Sequence, residues 1–207
     1  MATETNIQND KRQHRGRKAK ALLAGGLVLG VGAAITLAAW TDNEWVSNIF
    51  TAGQFNVQGS TNGTDYADHA SEASAAELSF AGDFDSLEPE ETVYAGFWVR
   101  LAAGTTSPAT LVLSDFDGSG TAAAEIDYAI YAIAAGATCD ATTATGTAIA
   151  SGTLSDTTGT STSVSLAAPA SPDPGVAQQL CFAVSSSADL AQNTTATGTW
   201  HFTATSS

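Results

Sequence analysis

The ten residues "TVYAGFWVRL" (Thr92–Leu101) constrain this chain more than any other stretch. Successive side chains of a strand point to opposite faces, whereas a helix repeats every 3.6 residues. Read at period two, Val93, Ala95, Phe97, Val99 and Leu101 share one face. Thr92, Tyr94, Gly96, Trp98 and Arg100 share the other. This alternation predicts a half-buried strand. The pattern recurs in "ATLVLSDF" (Ala109–Phe116) and in "EIDYAIYAI" (Glu125–Ile133), where Ile126, Tyr128 and Ile130 align. It returns in "TSVSLA", "QLCFAVSS" and "TGTWHFTAT", and before Thr92 in "QFNVQG" and "AELSFAG". Turn chemistry separates these runs, in "EPEE", "GTTSP", "DFDGSG" and "SPDPG". No long amphipathic helix interrupts them. Short strands at this spacing predict one all-β domain over 53–207, a single antiparallel β-sandwich. Gly136–Ser163 has the weakest pattern and reads as long loops with one strand near Ala148–Leu154.

What precedes the domain is of another kind. Six of the seven basic residues (Lys11, Arg12, Arg15, Arg17, Lys18 and Lys20) lie before an uncharged run, Ala21–Ala39. At ~1.5 Å per residue the run spans roughly 28 Å, marginal for a membrane crossing. It is rich in Gly and Ala and ends in small residues. Thr36 and Ala38 occupy the −3 and −1 positions of a cut before Ala39. A cationic start, a weakly apolar centre and a small-residue end predict a cleaved helical signal peptide over 1–38. The charge asymmetry leaves the body of the chain outside the cell. The protein is therefore expected to be secreted, with membrane contact only before cleavage and a signal peptidase as its export partner.

Of the 21 acidic residues only Glu4 and Asp10 precede Ala39, so 19 follow it, against Arg100 alone: a formal charge of −18. Such a chain is repelled by nucleic acid and by anionic membrane surfaces. Cys139 and Cys181, an even count in an exported chain, are expected to form one disulfide. No motif of a hydrolase is present: HExxH and GxSxG are absent, and the three histidines do not cluster in sequence. The chain is read as not an enzyme and as needing no cofactor. Two acidic stretches raise calcium. "DFDGSGTAAAEI" places Asp115 and Asp117 at the first and third positions of a calcium loop, but Ile126 stands where its twelfth-position glutamate belongs. "DFDSLEPEE" gathers Asp83 and Asp85 with three glutamates.

The stretch "WTDNEWVSNIFTAGQFNVQGS" after the apolar run puts Trp40, Trp45, Phe50 and Phe55 into the first residues of the mature chain. Together with the segment before it, Leu27–Ser60 resembles the signal region of proteins cut by the SipW-type signal peptidase. That group includes camelysin and the TasA-like biofilm-fibre subunits, and the flavour here is of its actinobacterial branch. Trp40, Asp42, Glu44, Phe50, Ala52, Gly53, Phe55 and Val57 carry the resemblance. Ser86–Ser114 is similar to the family's following strand pair, with Glu90 in place of a usual Gly and Ala102-Ala103 in place of a usual Asn.

The resemblance implies a jelly-roll-like sandwich and an N-terminal arm, 39–52, that can add as a strand to the next subunit. Ala39, Trp40, Trp45, Val46, Ile49 and Phe50 are the assembly candidates. The expected function is that of a subunit of a non-covalent surface or biofilm-matrix fibre, a homopolymer. The mature chain has no lysine for sortase-type or isopeptide linkage. The alternative is a monomeric secreted binding module for sugars or cations, its arm packed on itself.

Cleavage between Ala38 and Ala39 is the first testable outcome. Intact mass of the exported protein should give an N-terminus at Ala39. A species retaining residues before Leu37 would favour a membrane anchor instead.

Overall fold

In the computed structural model the described residues are 18, 20, 44, 45, 47, 48, 52–82, 86–156 and 160–207. The expected export segment and its helix (Lys18 and Lys20 apart), the cleavage residues Thr36, Ala38 and Ala39, and the arm residues Trp40, Val46, Ile49 and Phe50 lie outside them. So do Asp83 and Asp85. The strands all belong to one compact unit, Thr51–Ser207.

Among the described residues nine strands form two antiparallel sheets. In chain order they are β1 (Val57–Ser60), β2 (Thr92–Leu101), β3 (Ala109–Ser119), β4 (Ile126–Ile133), β5 (Ala150–Thr153), β6 (Thr160–Ser161), β7 (Val164–Leu166), β8 (Gln178–Ser186) and β9 (Thr197–Ser206). The larger sheet runs β1-β2-β8-β4-β5-β6 and the smaller β7-β3-β9. Their inner faces enclose the core. Val93, Ala95, Val99 and Leu101 of β2, Ile126, Tyr128 and Ile130 of β4, and Leu180, Phe182 and Val184 of β8 are buried at period two. Leu111 and Phe116 of β3, with Val164 and Leu166 of β7, close them from the other side. The all-β sandwich read from the alternation is thus the fold.

Two of the expected elements differ. "DFDGSG" was expected as a turn, but β3 continues through it to Ser119, pairing Asp117 with Thr199 and Gly118 with Gly198. A bulge between Leu113 and Asp115 explains how a run with broken alternation stays a strand. Leu111 points inward before the extra residue, and Phe116 points inward after it. Asp115 and Asp117 are exposed on this strand rather than lining a calcium-loop turn. The glycines make the pairing sterically feasible: a Cβ on Gly118 would stand 1.9 Å from the Leu154 carbonyl oxygen. The other difference is "AELSFAG". Its alternation does turn Leu78 and Phe80 toward the core, but only Ala81 bridges a strand, at Tyr94. Burial without a ladder partner gives an extended segment and no strand.

The long connection between β4 and β5 folds back over the outer face of the larger sheet. Gln179 and Cys181 point outward, opposite to Leu180 and Phe182, yet both are fully covered. Gln179 accepts from Gly136 N at 3.0 Å and donates to Ala137 O at 2.8 Å. The expected Cys139–Cys181 disulfide is present, with Cα atoms 5.2 Å apart. The adjoining turn is closed by the Asp140 carboxylate, which accepts from Thr142 Oγ1 (2.6 Å) and Thr142 N (2.8 Å). Those hydrogen bonds hold its pKa below the ordinary carboxylate value.

This places the disulfide as the staple of the weakest-patterned region. The bridged residues are 42 apart in sequence, so the chain-entropy treatment assigns about 4 kcal/mol to the crosslink. The double variant C139A/C181A should melt roughly 10 °C lower in differential scanning calorimetry, at ~2–4 °C per kcal/mol for a domain of this size. An unchanged melting temperature would show that the loop is held by its hydrogen bonds alone.

Candidate functional site

A sheet edge presents unpaired N–H and C=O groups that can template another strand, so each edge of the two sheets bears on function. Three of the four are short or covered. β1 has four residues, and Gly59 exchanges two 3.0 Å hydrogen bonds with Ala67 on its outer side. β6 has two residues and β7 three. The fourth edge is different. β9 has ten residues, pairs with β3 along its whole length, and no strand among the described residues pairs with its other side.

The main-chain polarity of that edge follows from one hydrogen bond. Ser207 N donates to Pro108 O at 3.1 Å. Strand alternation then turns the amides of Thr205 and Thr203 toward β3, and those of Phe202, Ala204 and Ser206 outward. The same residues that offer main-chain groups to the free edge send their side chains inward. Trp200 and Phe202 are only half-buried, although both pack on the core. The Trp200 ring lies 5.2 Å from Phe182, 5.6 Å from Tyr128 and 5.7 Å from Phe116, centroid to centroid. Phe202 lies 6.3 Å from Phe182. Trp200 Nε1 is buried with no partner among the described residues, as is the Tyr128 hydroxyl. Burial raises the pKa of that hydroxyl, and Asp156 adds to the shift. β9 also lacks the usual edge guards: it contains no Lys and no Pro, and His201 is its one titratable residue.

The other candidates among the described residues have surroundings of their own. Trp45, of the expected arm, is 93% exposed. His69 Nδ1 lies 2.8 Å from Ser74 O in an exposed loop. The exposed His201 ring contacts Ser114 Oγ at 3.4 Å. Among the described residues no three His, Cys, Asp or Glu side chains gather closely enough to share an ion. Two features escaped the sequence reading. Alternation identifies β9 as a strand but carries no signal of whether it is central or at an edge. The stacking of Tyr66 on Arg100, at 3.7 Å, joins residues of a loop and a strand with no shared period.

The charge balance bears on any contact at this edge. With −18 over residues 39–207, self-repulsion opposes both compactness and association, and salt relieves it. Sodium chloride at ~1 M should raise the melting temperature of a 39–207 protein by several degrees in a thermal-shift series. Insensitivity to both sodium chloride and calcium would contradict this, and a shift at micromolar calcium would mark a specific acidic site.

Compared with family models, with curated proteins and with solved structures, the chain matches none.

Proposed function

We propose that the mature chain is an exported structural subunit that polymerises without covalent links. The arm Ala39–Phe50 of one copy adds as a strand along the free edge of β9 in the next. The observation that carries the reading is this ten-residue edge, unpaired among the described residues, with half-buried aromatics behind it.

The strand order supports it further. In an eight-stranded jelly roll, the first strand lies beside the last and completes the sheet that also holds the third and sixth. The remaining four form the facing sheet. Aligning β2, β3, β4, β5, β7, β8 and β9 with the second to the eighth strands reproduces both sheet orders. The first strand's place, beside β9, holds no strand among the described residues. In this chain β1, which precedes β2, pairs along β2 instead. A donated strand would therefore complete the jelly roll.

Length and energetics fit. Twelve arm residues extend over ~40 Å and β9 over ~33 Å at ~3.3 Å per residue. An added strand would satisfy the outward amides of Phe202, Ala204 and Ser206, and its aromatics would cover Trp200 and Phe202. Burying one tryptophan removes ~200 Å² from water, about 5 kcal/mol at ~25 cal/mol/Å². Secretion is supported by the cationic and apolar leader and by the disulfide, which suits an oxidising compartment. Nothing in this scheme calls on catalysis.

The test separates donor from acceptor. Purified mature protein should form fibres in electron microscopy. Deleting Ala39–Asn48 removes the donor. Ala204→Pro removes one outward amide at the acceptor edge while sparing the ladder to β3. Both variants should keep their sheet circular dichroism yet form no fibres. Identical fibres from either would overturn the scheme. A wild-type protein that stays monomeric at high concentration would place the arm on its own domain and favour the binding-module alternative.

A further inference from the structure

We infer that Arg100 is a docking point for a carboxylate of a second copy of this chain, an inference that rests on the assembly proposed above. Arg100 is the single Lys or Arg after Lys20, among 19 acidic residues beyond Ala39. It lies half-buried on the outer face of β2, next to Gln58 of β1 in the pairing register. A lone cation in so acidic a chain is expected to sit against an acid of its own domain. Among the described residues it does not. The Tyr66 ring covers its guanidinium at 3.7 Å, Nη2 donates to Gln58 Oε1 across a long 3.4 Å, and Nε is buried without a partner.

The stacking fixes the plane of the guanidinium fork before any anion arrives. A fork held this way loses little further entropy on binding, and its geometry matches a carboxylate. Burial raises the Tyr66 pKa and the nearby Arg100 charge lowers it in part, so the phenol stays a neutral lid. The occupant follows from charge complementarity. Copies of −18 repel nearly everywhere they meet, because acids face acids. Arg100 is the one lysine or arginine past the leader, so it is where an acid from another copy gains attraction instead of meeting repulsion. It thereby selects which faces of two copies come together, a role distinct from strand addition at β9.

The absence of lysine supplies the experiment. A water-soluble carbodiimide joins an amine to a carboxylate with no spacer, and the mature wild-type chain offers only its α-amino group. R100K places one side-chain amine at this position. Assembled R100K treated with carbodiimide should give a ladder of covalent multimers on a denaturing gel, absent or much weaker for wild type. Peptide mass mapping should join the introduced lysine to an acidic residue of a second, isotope-labelled copy. R100Q should retain its melting temperature while the concentration needed for assembly rises about tenfold. A crosslink confined to one chain, for example to Asp65, Asp68 or Glu44, would overturn the inference. So would assembled R100K that yields no ladder, or R100Q that assembles as wild type does. Failure of wild type itself to assemble would instead remove the fibre reading on which this one rests.

Discussion

The contact between β9 and the strands facing it is the interaction on which the sandwich depends. Trp200 touches Phe116, Tyr128 and Phe182 at once, and so ties three strands from both sheets into one aromatic cluster. Among the described residues the smaller sheet has three strands, and β7 contributes three residues to it. Its hold on the larger sheet therefore rests on β3 and β9. Both glycines of the Gly118–Gly198 pair serve the same contact, since Leu154 packs where their Cβ atoms would stand. Tight packing at that end and half-buried aromatics along the open side describe one layer that is well closed on one flank and short of cover on the other.

Much of this was legible in the sequence because alternation is a direct consequence of strand geometry. The inward faces of β2 and β4 could be named residue by residue from period two, and β8 could be named as a strand. The pairing of Cys139 with Cys181 followed from count and compartment. The failures have physical causes too. The Leu113–Asp115 bulge shifts the parity of β3, so a strand that continues to Ser119 imitated a calcium-loop turn. Leu78 and Phe80 alternate correctly yet lie outside the named strands, because alternation reports burial on one side and says nothing of strand pairing. The candidate site itself was the least legible. Whether a strand is an edge depends on which distant segments pair with it, and only topology reveals that β9 has one neighbour among the described residues.

The composition makes sense against that topology. Thr populates outward positions of β9, at Thr197, Thr199, Thr203 and Thr205, where β-branching suits a pleated surface without adding charge. An edge free of Lys and Pro is ordinarily a liability, a template for indiscriminate pairing. In the proposed assembly the formal charge of −18 beyond Ala39 would do the work that edge lysines do elsewhere. Repulsion between copies would slow encounters, and a partner bringing both main-chain pairing and aromatic cover would overcome it. Arg100, stacked on Tyr66 and without an ion pair among the described residues, would then bias which encounters are productive.

These two features act at different ranges, which is why neither replaces the other. Carboxylate repulsion extends over a Debye length of ~8–10 Å at moderate salt, so it governs approach. In the proposed assembly, hydrogen bonds along β9 and packing on Trp200 would act within contact and govern retention. A subunit of that kind would stay dispersed while dilute and commit once a strand is seated. In that assembly a strand seated beside β9 would bring a main chain able to accept near an indole nitrogen that is already buried without a partner among the described residues, and would turn the half-buried aromatic flank of the core into an interior one.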